Sequence, residues 1–129
     1  MKTNTKRLLS MIMALAMILS LLPVMASAAT MTGGEVLYLK PNSNWTSANA
    51  RFAAYFCNGS SAAAWVSMTD TDGDGVYEVT VPSGNHKNVI FCRMNPSATA
   101  NDWSNKWNQT GDLVYDGTNN CCAINANQW

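Results

Sequence analysis

The chain has 129 residues, with eight Lys/Arg balanced by eight Asp/Glu. Three of the basic residues, Lys2, Lys6 and Arg7, stand at the extreme N-terminus, which leaves five basic against eight acidic residues in the remainder. A mildly acidic domain lacks the basic face that a nucleic-acid partner requires, so that class of function is excluded.

The basic start is followed by an apolar run, Leu8 to Val24, and by Pro23 ahead of Ala26-Ser27-Ala28. This is the layout of a secretory signal with a small-residue cleavage site. The run is interrupted by Ser10, Ser20 and Pro23 and is short for a span of about 20 residues, so no stable membrane insertion is expected after cleavage. The expected division is a signal peptide over residues 1–29 and a secreted, extracellular domain over residues 30–129. A segment of that length makes one domain with a modest core. Its cysteines, Cys57, Cys92, Cys121 and Cys122, allow three disulfide pairings in an oxidising compartment, although Cys57 and Cys92 suit buried thiols equally well. Cys121 and Cys122 should point to opposite faces of an extended segment. Without Cys-x-x-Cys spacing there is no zinc signal, and neither metal nor cofactor is expected.

Taken in order, Glu35–Lys40 alternates, with Leu37 and Leu39 on one face and Val36, Tyr38 and Lys40 on the other. Pro41-Asn-Ser-Asn-Trp45 reads as a polar loop, and the polar neighbours of Trp45 suggest an exposed indole. Arg51–Cys57 is apolar on both faces, as in a central strand. Ala64–Thr69 turns Val66 and Met68 inward and leaves Trp65 beside Ser67 and Thr69; Trp65 is read as cover for a neighbouring strand, with a sugar platform as the alternative. Asp70-Thr-Asp-Gly-Asp-Gly matches the first six positions of an EF-hand loop, but the twelfth position is Val81 and the flanks read as strands. The Asp-Gly pairs therefore predict a hairpin into Val76–Val81, whose Tyr77, Val79 and Val81 face the core. Pro82–Lys87 is a turn with a solvated His86. Asn88–Met94 is a second near-continuous apolar strand, and Leu113–Tyr115 and Cys121–Ile124 are short closing strands. Turn signals between about seven or eight short strands predict an all-β, antiparallel β-sandwich.

The stretch that does not fit a core is Trp103-Ser-Asn-Lys-Trp-Asn-Gln-Thr110, in which two indoles stand among amides, a lysine and hydroxyls. Indole faces cover the C–H face of a sugar ring while amides bond its hydroxyls, so the octet reads as a carbohydrate-binding loop. The competing reading has one or both tryptophans plugging the end of the sandwich. Arg93, just before Asn95-Pro96 and the loop, can orient the loop's amides or bond a sugar hydroxyl directly. Catalysis has little support. His86 lacks a nucleophile and an orienting carboxylate, and Asp102 and Asp112, the one carboxylate pair bracketing the octet, read better as caps of loop and turn.

Several segments together resemble the starch-binding modules attached to secreted bacterial α-amylases, carbohydrate-binding module family 26 and its relative family 25. They are Val36-Leu-Tyr-Leu-Lys-Pro-Asn-Ser-Asn-Trp45, Ala50–Phe56, Trp65–Thr69, Asp72–Glu78, Ile90–Pro96 and Asn101–Thr110. The resemblance implies an immunoglobulin-like sandwich without catalytic activity, free-standing or part of a larger amylolytic protein. Its partners would be starch, amylose and maltooligosaccharides. By the same resemblance Tyr38 and Trp45 would form the stacking platform. Arg93, Asn95, Asn101, Lys106, Asn108 and Gln109 would supply polar contacts, with Trp103 or Trp107 as a further aromatic. The alternatives are an extracellular adhesion or assembly domain and a module for another polysaccharide.

Overall fold

The computed structural model describes residues 28–125. The signal-peptide expectation falls almost wholly outside the described residues. Among them, no helix is long and apolar enough to cross a membrane.

The domain is all-β, and the described residues form ten short strands rather than seven or eight: β1 (Met31–Thr32), β2 (Val36–Lys40), β3 (Arg51–Cys57), β4 (Ala64–Ser67), β5 (Tyr77–Thr80), β6 (Asn85–His86), β7 (Asn88–Met94), β8 (Lys106–Gln109), β9 (Leu113–Val114) and β10 (Cys121–Ala123). One sheet has the order β10-β2-β5. The larger one runs β4-β3-β7-β8, with β9 continuing along β7, and β1 pairs with β6 in a separate ribbon. All pairings are antiparallel except that of β10 with β2, which is parallel.

The two apolar runs, β3 and β7, lie side by side in the middle of the larger sheet, as their two-sided apolar pattern requires. Their inward residues Phe52, Ala54, Phe56, Val89 and Phe91 meet Leu37, Leu39, Val79 and Val81 in one buried core, with Met68 and Ile124 at its margins. Tyr77 packs against this core, and so does Val66. The alternation of β2 and of residues 76–81 therefore identified the inward faces correctly.

Three expectations are corrected. The Asp-Gly segment is not a simple hairpin, because β4 belongs to the larger sheet and β5 to the smaller. The chain changes sheet there, and only the Thr69–Glu78 bridge keeps the two strands in register. The carboxylates of Asp70, Asp72 and Asp74 lie within 4.8 Å of one another. Each accepts backbone N–H groups of the same loop, Asp70 from Gly73 and Gly75, Asp72 from Asp74 and Asp74 from Val76.

His86 is not a solvated turn residue. It is buried in β6 opposite Met31, with its ring 5.8 Å from that of Phe56. The close approach depends on Gly59, where a Cβ would sit 1.6 Å from the carbonyl oxygen of Asn85.

Trp45 is the third. Asn42 caps a single helical turn, α1 (Ser43–Thr46), by accepting the Trp45 N–H at 3.0 Å, while its own amide donates to the Asn125 carbonyl at 2.6 Å. That turn rotates the indole inward until it is 1 % exposed and stacked on Phe52, with ring centroids 6.2 Å apart and planes 6° from parallel. Trp45 is thus the plug at one end of the sandwich, a role considered for the tryptophans of the octet.

All four cysteines are free thiols, and Cys121 is exposed while Cys122 packs against the core, as expected for neighbours on a strand. Burial pushes the Cys92 thiol up to about 12, against a smaller opposing effect of Lys106. Cys92 therefore stays protonated at pH 8, and the thiolate is the reactive form. Brief iodoacetamide treatment of the folded chain at pH 8 is expected to label Cys121 and spare Cys92, with denaturant needed to label both; peptide mass spectrometry reads the difference.

Candidate functional site

Residues of β3, β4 and β7 alternate between two faces, and the face turned away from the core carries Tyr55, Trp65, Ile90, Cys92 and Met94. Such a face would ordinarily be polar. Here the segment between β7 and β8 folds back over it, burying Ala53, Cys92 and Met94 in a second, smaller apolar cluster edged by Trp65 and Ile90.

Arg51 holds this loop. Its Nε donates to the carbonyls of Asn95 at 3.1 Å and Ala98 at 2.6 Å, one terminal nitrogen donates to the Ala100 carbonyl, and the other to Asn101 Oδ1. The Asn101 amide nitrogen completes the tie by donating to Ser67 Oγ at 2.9 Å. Beyond it, Asp102 accepts from Ser104 Oγ at 2.7 Å and from the Asn105 backbone at 2.9 Å, closing a tight turn. These bonds, that of Ser104 foremost, hold the Asp102 carboxyl below its ordinary pKa. Its contribution to the turn is complete above the unfolded carboxylate value, near 3.9, and is lost only as pH falls through the lower folded value. The cap therefore persists at neutral and mildly acidic pH.

The turn delivers Trp103 onto Tyr55 and Trp65. Its ring lies 4.8 Å from Tyr55 at 65° and 4.7 Å from Trp65 at 66°, and the Tyr55–Trp65 pair is 4.9 Å apart at 52°. Although it touches two aromatic partners, Trp103 remains 45 % exposed. Lys106 Nζ stands 5.7 Å from its ring centroid and is steadied by a hydrogen bond to Gln109 Oε1. The result is an aromatic floor with an exposed indole, rimmed by a cation and amides.

The site residues expected from sequence are distributed as follows. Asn101, Trp103, Lys106 and Gln109 come together here, with Asn95 at the base of the loop. Arg93, Trp107 and Asn108 lie on the other face of the same sheet, where the guanidinium of Arg93 covers the Trp107 ring at 4.7 Å. Tyr38 is half-buried on the outer face of the smaller sheet, opposite Glu78 and Cys121. Trp45 is in the core, so Tyr38 and Trp45 do not form a joint platform. Sequence reasoning missed Tyr55 and Arg51 and assigned Trp65 to structural cover. The one available signal was Tyr55 and Trp65 in strands whose opposite faces were already filled by apolar residues.

Replacing Arg51 by lysine keeps the charge but cannot reproduce the planar, several-donor geometry that gathers the four loop oxygens. Arg51→Lys is expected to loosen the loop, seen as faster amide exchange over residues 98–103, with the two main sheets unaffected.

Comparison with protein-family models, with curated proteins and with solved structures found no match for this chain.

Proposed function

We propose that this chain is a secreted, non-catalytic carbohydrate-binding module that takes α-1,4-glucans, starch and its maltooligosaccharides, on the outer face of the larger sheet. The observation that carries the reading is the exposed Trp103, fixed against Tyr55 and Trp65 and rimmed by Lys106, Gln109 and Asn101. An indole held rigidly in water offers apolar surface to a sugar face without the cost of ordering a mobile side chain. Lys106 beside the ring, and Gln109 bonded to that lysine, offer donors and an amide to sugar hydroxyls.

The angles bear on which glycan fits. The three rings are inclined to one another by 52° to 66°, so no two can lie flat beneath a straight ribbon such as a β-1,4 chain. Tilted surfaces suit a curved chain, in keeping with the motif resemblance to starch-binding modules.

The test is tryptophan fluorescence during titration with maltoheptaose, with cellohexaose as the control. Saturable quenching or a blue shift with the first alone supports the reading, and equal response or none to both rejects it. A fluorescence change produced instead by a secreted protein partner, and unaffected by oligosaccharide, would favour the adhesion or assembly reading.

A further inference from the structure

Strand β8 carries an irregularity at Trp107, while Trp103 lies in the loop before the strand. Met94 is opposite Lys106, whereas the next residue of β7, Arg93, is opposite Asn108, so Trp107 is the extra residue of a bulge. A bulge re-aims a side chain that regular pairing would point elsewhere. Phe52, Arg93 and Asn108 share one face by register, and Tyr55 and Trp65 share the other. Trp103 packs on the second set and Trp107 on Arg93, so two indoles four positions apart serve separate places on the domain.

Trp107 is as exposed as Trp103, each at 45 %, and it too is held in place. Arg93 donates from Nε to the Trp45 carbonyl at 2.7 Å and from one terminal nitrogen to Ser47 carbonyl and hydroxyl oxygens at 2.7 and 3.0 Å. Anchored in this way to the backbone around α1, the guanidinium covers one side of the indole at 4.7 Å. Beside it Asn108 accepts the Gln109 N–H through Oδ1, and its side-chain N–H groups have no protein acceptor among the described residues. A rigid exposed indole, an amide with unused donors and an anchored cation repeat the equipment of the Trp103 site.

We propose that Trp107, Arg93 and Asn108 form a second saccharide-binding surface for a neutral gluco-oligosaccharide segment, so that one domain holds two glucan segments, one on the outer face of its larger sheet and one beside α1 at the margin of the core. The inference rests on the function proposed above and adds valency to it. The mildly acidic balance of the domain favours a neutral glycan over a polyanionic one at the Arg93 side. Two such sites give one domain two points of attachment. They can bridge neighbouring chains of a granule, where the second attachment is intramolecular and raises avidity well above either single affinity.

The test uses the full chain with maltoheptaose, following the indole N–H resonances of Trp103 and Trp107 in nitrogen-15 spectra. Both resonances are expected to move, each with its own saturation curve. Trp103→Ala should leave the Trp107 shift intact, and Trp107→Ala should leave that of Trp103. In parallel, the unaltered chain should cross-link soluble amylopectin into a precipitate, and either single variant should bind without precipitating it. A moving Trp103 resonance with a stationary Trp107 resonance overturns the second surface and leaves the first standing. Neither resonance moving overturns both. The spectra of the unaltered chain decide the matter even if a variant fails to fold.

Discussion

Trp45→Ala is expected to cost about 3–5 kcal/mol of stability, the range for removing a buried tryptophan from a core. The indole is almost wholly buried, stacks on Phe52, and closes the end of the sandwich where Phe52 in turn meets Tyr77 edge-on at 4.4 Å. The turn that carries it, α1, is pinned by the Asn42 cap and by the Arg93 bonds to the Trp45 and Ser47 carbonyls. A domain of this size has roughly 5–15 kcal/mol of stability in total. The loss should therefore lower the thermal midpoint by roughly 15–30 °C, measured by circular dichroism or calorimetry. Had Trp45 been a sugar platform, its removal would have left the midpoint unchanged and weakened binding alone. The two outcomes separate a core role from a surface role in one experiment.

Trp103→Ala is expected to do the reverse. Much of its indole faces water, so truncation removes less of the core, about 1–3 kcal/mol for the lost aromatic contacts with Tyr55 and Trp65. Binding should suffer more visibly. A stacking surface of this kind contributes on the order of 1–3 kcal/mol, so affinity for maltoheptaose should fall about tenfold or more. Mobility retardation in amylopectin-containing native gels reads the change directly. Trp103→Phe should recover part of the retardation, because a smaller ring still presents an apolar face.

The main strands were legible because their patterns are local. Two-sided apolar runs placed β3 and β7 at the centre of a sheet, and alternation gave the inward residues of β2 and β5. The octet stood out as a candidate site because its composition suits neither a core nor an ordinary loop. What escaped was set by contacts distant in sequence. Arg51 gathers oxygens of a loop more than forty residues away, and nothing near it in the chain announces that. Tyr55 sits in a run that reads as core on both faces, yet one of those faces is covered only by the loop that brings Trp103. The polar neighbours of Trp45 point to an exposed indole. In fact they build the capped turn that rotates it inward. His86 likewise reads as a solvated turn residue, whereas its burial depends on the backbone contact at Gly59 and on pairing with β1, more than fifty residues earlier. The split of the octet was not legible either, because a loop turn places Trp103 and a bulge re-aims Trp107, and strand alternation governs neither.

The most direct test of glucan binding at the Trp103 face is depletion of the full chain from solution by granular starch, with cellulose as control and maltoheptaose as competitor. Depletion by starch alone, reversed by the oligosaccharide and largely lost in a folded Trp103→Ala variant, is the expected result. A chain that shows a cooperative unfolding transition yet stays in the supernatant with starch would contradict it, and the exposed aromatics would then belong to a protein interface.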